Sequence, residues 1–130
     1  MKALDTPILL ALLQGSPRVR DQLRRLRGTE LATTEANLLE LAYLAASAPA
    51  RLRGERLTAL TRLRQRITVL PIDSRGLEEA IRRIAGAPSR SPLVTAMLGA
   101  LEAYGCEELL TDRPDQFGGP WRFKLRKVQA

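Results

Sequence analysis

Short apolar segments bounded by turn residues recur along this chain, and most are separated by stretches of helical period. They read as strands: KAL (2–4), ELAT (30–33), ITVL (67–70), ELLT (108–111) and WRFKLRKV (121–128). Strands joined by helices of ten or more residues cannot be hairpins. They need crossover connections, which place them side by side in a mostly parallel sheet with helices on both faces. The chain is therefore read as one α/β domain over residues 1–130, with a central sheet of four to five strands. A length of 130 residues suits one such core and not two.

The helices carry their own punctuation. Pro7 falls in the first turn of a helix that runs to about Gly15. Ser16-Pro17 starts a second, with Val19, Leu23 and Leu26 as its apolar stripe and Gly28 closing it. TEANLLELAYLAA (34–46) is apolar over most of its surface and is expected to be well buried. RLRGERLTALTRLRQR (51–66) is amphipathic, with Leu52, Leu57, Leu60 and Leu63 inward and its arginines solvated. Asp73 or Ser74 caps LEEAIRRIAG (77–86), which stops at Gly86. APSRSP is a loop that delivers Ser91 as the next N-cap and Pro92 as the first helical residue. The last segment sets Trp121, Phe123 and Leu125 against Arg122, Lys124 and Arg126, the pattern of an edge strand with one buried face.

Composition narrows the chemistry. There is no histidine, so Ser-His-Asp and Cys-His nucleophiles and His-ligated zinc are excluded. The single cysteine, Cys106, cannot form an internal disulfide, reads as structural, and fits a reducing, cytoplasmic setting. The net charge of +7 favours a polyanionic partner such as nucleic acid, although arginine-rich usage also follows from genomic base composition. The opening MKALDTPILLALL is shorter than the roughly 18 apolar residues that span a bilayer. Asp5 and Pro7 interrupt it, so it reads as a buried strand and not as a signal or a membrane segment.

An open parallel sheet binds ligands beyond the carboxyl ends of its strands, where the strand order reverses. Asp5 ends the first strand and Asp112 follows the fourth, so these carboxylates share one crevice if the two strands are neighbours. Glu40, in the helix after the second strand, reaches the same crevice from the side. Grouped carboxylates persist when a hard cation neutralises them, and such a cation activates water for phosphodiester cleavage. Taken singly, each acid has a plainer explanation in helix capping or surface solvation.

The chain resembles the PIN domain family, and within it the VapC-type toxin ribonucleases, along nearly its whole length. KALDTPILLALL is similar to the family's first strand and Asp-Thr pair, which implies Asp5 as a metal ligand and Thr6 as a supporting hydroxyl. TTEANLLELA is similar to the second acidic motif, implying Asn37 as support and Glu40 as the second acid in preference to Glu35. AMLGALEAYGCEELLTD resembles the alanine-rich helix, glycine turn and fourth strand, with Thr111 in support. The departures lie at the other two acids. Where the family sets an Asp at the start of the alanine-rich helix, this chain has Thr95, a neutral supporting hydroxyl and a weaker ligand than a carboxylate, with Val94 beside it. Where the family has Thr, any residue, Asp, it has Thr111, Asp112, Arg113, with Asp115 further on.

The resemblance implies a Mg²⁺- or Mn²⁺-dependent endoribonuclease in which Asp5, Glu40 and Asp112, with Asp115 as an alternative last ligand, hold the ion. It also implies RNA as substrate, an antitoxin partner and a homodimer. The incomplete acidic set supports a second reading, a PIN-fold module with weak or lost catalysis that binds RNA or a protein. A receiver-like phosphoacceptor is a third, and it lacks a second acid beside Asp5 and a crevice lysine. Trp121 reads as a packed edge-strand residue, Tyr43 and Tyr104 as core or interface residues, and the arginines of 51–66 as a solvated face.

Overall fold

The computed structural model describes residues 1–26, 28–84 and 91–130. Strand β1 (Lys2–Leu4) ends at Asp5, whose carboxylate accepts the Thr6 N–H at 2.8 Å and so caps α1 (Thr6–Leu13), with Pro7 in its first turn. One residue thus ends a strand and starts a helix. Ser16 caps α2 (Pro17–Arg24) in the same manner. After β2 (Leu31–Thr34), Thr34 and Asn37 form a reciprocal capping box at the start of α3 (Glu35–Ala46). Then follow α4 (Ala50–Arg66), β3 (Thr68–Leu70), α5 (Ser74–Arg83), α6 (Pro92–Ala103), β4 (Glu108–Thr111), a 3₁₀ turn (Pro114–Gln116) and β5 (Lys124–Lys127). The expected stop at Gly86 and most of the APSRSP loop lie outside the described residues.

All five strands are parallel, in the order β3-β2-β1-β4-β5. The chain winds one way from β1 through β2 to β3, then crosses back to β4 on the other side of β1. The order therefore reverses between β1 and β4, which are hydrogen-bonded neighbours with Leu4 opposite Leu110. Alternation along the strands feeds two cores. Leu4 and Leu110 face one, packed with Ile8, Leu9, Val19 and Leu41. Ala3 and Leu109 face the other, packed with Met97, Leu98, Leu101, Phe117 and Phe123. On that side α5 and α6 approach closely: a Cβ on Gly99 would lie 2.3 Å from the Gly76 carbonyl oxygen, so only glycine fits the crossing.

Three expectations are corrected. Helix α3 is not covered all round: Leu39, Tyr43 and Leu44 are exposed, because only the side bearing Ala36, Asn37, Leu41 and Ala45 packs inward. No residue of α4 is fully buried, and Leu57 is exposed while Leu60 and Leu63 pack on the core. The last strand begins only at Lys124. Trp121 precedes it, stacks on Phe123 at 5.6 Å and donates its ring N–H to the Phe117 carbonyl at 3.0 Å. Among the described residues no helix is long and apolar enough to cross a membrane.

Asp73 caps α5, accepting from the Arg75 and Gly76 N–H groups, and it accepts the hydroxyl of Tyr104 at the end of α6. That hydroxyl above all, then the Gly76 amide, holds the Asp73 carboxyl below its ordinary range, while the bond to Asp73 raises the Tyr104 phenol. A depressed folded-state pKa stabilises above the unfolded value, near pH 4, and that stability is lost as pH falls through the folded value. The raised phenol stabilises below about pH 10 and loses its effect as pH climbs through its folded value. We expect Asp73→Asn to flatten both limbs of a melting-temperature profile against pH. Limbs unchanged from those of the natural chain would dissociate the pair from stability.

Candidate functional site

The reversal between β1 and β4 sets Asp5 at the carboxyl edge of the sheet. Asp5 is 1% exposed, and its backbone N–H donates to the Leu110 carbonyl at 2.9 Å, which fixes it beside the end of β4. Its Oδ1 accepts from Thr6 N–H at 2.8 Å. Its Oδ2 accepts the Thr111 hydroxyl at 2.7 Å and the Arg113 Nε–H at 3.3 Å. The Arg113 backbone N–H donates in turn to the Thr111 hydroxyl oxygen at 3.1 Å. The Arg113 guanidinium lies 5.6 Å over the ring of buried Phe117.

A second network holds the β2 side. The Asn37 side-chain amide donates to the Thr6 hydroxyl at 3.1 Å and lies 3.1 Å from the Met97 sulfur, while its carbonyl oxygen accepts from the Thr34 hydroxyl at 2.6 Å. Asn37 is 4% exposed and Thr6 2%. Buried polar groups of this kind need partners, and these have them. The networks join at the Asp5-Thr6 pair, so both strand ends are tied to one point. Arg113, bonded to Asp5, also lines a crevice of about 560 Å³ together with Glu40, Ser91, Val94, Asp115, Gln116 and Phe117.

A family model for the PIN domain matches residues 2–111. The chain belongs to the PIN domain family. Its fold matches that of DNA-bound VapBC from Salmonella typhimurium, with a TM-score of 0.81 at 18% identity over 97% of this chain and 96% of that one. VapBC2 from Rickettsia felis, bound to a DNA fragment from its promoter, matches with a TM-score of 0.79 at 12% identity over 98% of each chain. The sarcin-ricin-loop-cleaving toxin VapC20 of Mycobacterium tuberculosis matches at 0.65 and 16% identity, over 84% and 87%. No curated protein matches the sequence.

Against the acids expected of a PIN crevice, the geometry divides. Glu40 and Asp115 line it, and Asp5, buried and bonded to Thr6 and Thr111, meets it through Arg113. Glu35 does not: its carboxylate accepts the Ile72 N–H at 3.0 Å, beside a separate groove between α3, α4 and β3. Asp112 is half-buried and is not among the lining residues, since its neighbours Thr111 and Arg113 are the ones that turn toward Asp5. At the start of α6 it is Val94 that lines the crevice. Thr95 turns its hydroxyl back to the Ser91 carbonyl at 3.0 Å and faces a small cavity with Glu79, Arg83 and Trp121.

These residues do not fit a divalent ion as they stand. Among the described residues no three carboxylate or thiol groups lie close enough to hold a metal. An apolar side chain, Val94, lines the helix side of the crevice, and a guanidinium sits on Asp5. Hard cations need several oxygen ligands with net negative charge, and a fixed positive charge opposes them. In the sequence Arg113 is only a departure from the family pattern beside Asp112; its bond to Asp5 depends on the path the chain takes beyond β4.

Proposed function

We propose that this PIN-domain chain is a toxin-type protein that engages RNA, paired with an antitoxin, and that its metal-dependent cleavage is weak or absent. The observation that carries this reading is the Arg113–Asp5 contact at 3.3 Å, at the point where a catalytic cation would be bound. The net charge of +7 supports attraction to the RNA backbone, which acts over distance and weakens with salt. The VapBC neighbours, solved as toxin-antitoxin complexes, support an antitoxin partner. Exposed Leu39, Tyr43, Leu77, Ile81 and Ile84 give apolar surface for that partner and for a second copy in a homodimer.

A second reading, a working Mg²⁺- or Mn²⁺-dependent ribonuclease, is favoured by Glu40 and Asp115 lining the crevice that Arg113 joins to Asp5. One experiment separates the two. A fluorescein-labelled RNA hairpin is titrated with the purified protein in EDTA, then incubated with it in Mg²⁺ and in Mn²⁺. We expect salt-sensitive binding in EDTA and little cleavage in either metal. Metal-dependent cutting that disappears in Asp5→Asn establishes the second reading, and failure to bind the RNA at low salt removes the first.

A further inference from the structure

We propose that Arg113 is the built-in cation of the crevice: its guanidinium neutralises Asp5 in the place of a divalent ion, and its presence keeps Mg²⁺ and Mn²⁺ out. This deepens the reading of the crevice given above and says what replaced its metal.

Three observations carry it. The first is occupation of one carboxylate oxygen. Asp5 is almost fully buried, and Oδ2 already receives both the Thr111 hydroxyl and the Arg113 Nε–H, so a metal reaches that oxygen only by displacing one of these donors. The second is that Arg113 is held where it stands. Its backbone N–H is bonded to Thr111 and its guanidinium lies over the Phe117 ring, so the charge is positioned at three points. The third is the loss of competing charge. Val94 supplies no carboxylate from α6, Asp112 is not among the lining residues, and only Glu40 and Asp115 bring acid to them. A buried carboxylate needs a counter-charge, and here the chain supplies one that cannot diffuse away.

Mn²⁺ serves as the probe, followed by the loss of its free-ion electron paramagnetic resonance signal and, in parallel, by thermal unfolding with and without the ion. The natural chain is compared with Arg113→Asn and with Val94→Asp/Arg113→Asn, which removes one positive charge and adds one negative. Asp5→Asn/Arg113→Asn, lacking both members of the pair, is the control for folding, and far-UV circular dichroism is recorded for all.

We expect the natural chain to leave its melting temperature unchanged in Mn²⁺. The Val94→Asp/Arg113→Asn variant should bind the ion about tenfold or more tightly than the natural chain and melt higher in its presence. Mn²⁺ uptake by the natural chain as tight as by that variant, and lost in Asp5→Asn/Arg113→Asn, overturns the proposal. So does a folded Val94→Asp/Arg113→Asn variant that takes up no Mn²⁺, since Arg113 would then not be what excludes the metal. RNA binding in EDTA is read on the same samples: its failure speaks against the proposed function and leaves the Mn²⁺ result to judge Arg113 alone.

Discussion

Asp5→Ala should destabilise the metal-free protein by about 2–4 kcal/mol, with a fall in melting temperature of roughly 10 °C. Three losses contribute. The cap of α1 disappears with Oδ1, which accepts the Thr6 N–H. The Thr111 hydroxyl, fully buried, loses its acceptor. Arg113 loses its counter-charge but is partly exposed, so water compensates much of that loss. The contributions share atoms and will not add in full. The sign is what discriminates. In a cluster of unneutralised carboxylates, deleting one relieves repulsion and stabilises the metal-free fold. In this chain the carboxylate is satisfied from within, so its removal should be a plain loss. Thermal unfolding in EDTA gives the answer, and Asp5→Asn, which keeps an acceptor oxygen for the cap, should lose less. An Asp5→Ala variant as stable as the natural chain, or more so, would show that Asp5 sits in a repulsive cluster after all.

The frame of this crevice was legible in the sequence because each of its determinants is local. Turn residues mark the strand ends, and crossover lengths force parallel pairing. Asp5 therefore lands at the carboxyl edge of the sheet without any tertiary information, while its place beside β4, a condition in the sequence, is supplied by the strand order. What escaped is set by rotation and by chain path. On a helix one residue is about 100° of rotation, so choosing Thr95 in place of Val94 picks a different face. The Thr95 hydroxyl then bonds its own helix, as threonines in helices do. The same limit applies beyond β4, where Asp112 looked like the fourth acid by adjacency to Thr111. It is the next residue, Arg113, that returns to the site, through a backbone bond to the Thr111 hydroxyl that no spacing rule announces. Helix α3 misled for another reason. A helix apolar over most of its surface is normally buried, yet Leu39, Tyr43 and Leu44 stand exposed, and the surface they leave is one a partner would cover.

Phe117 ties stability to the site, and Phe117→Ala should cost about 3–5 kcal/mol. The ring is 1% exposed and packs in the same core as Met97, Leu98, Leu101, Leu109 and Phe123, so truncation leaves a cavity in the layer between the sheet and α6. Its carbonyl also accepts the Trp121 N–H, which anchors the stretch leading into β5. The other side of the ring bears the Arg113 guanidinium, and losing that contact removes about a further 0.5–1 kcal/mol. Phe117→Leu separates the two effects: it fills most of the volume but has no π face, so it should cost about 1–2 kcal/mol. Urea unfolding measures both variants. If Phe117 fixes Arg113 on Asp5, Phe117→Leu should also make Asp5→Ala less costly than in the natural background, because part of the pairing has already been loosened. Strictly additive losses would mean that Arg113 is held by its bonds to Asp5 and Thr111 alone, with the aromatic ring serving the core and not the crevice.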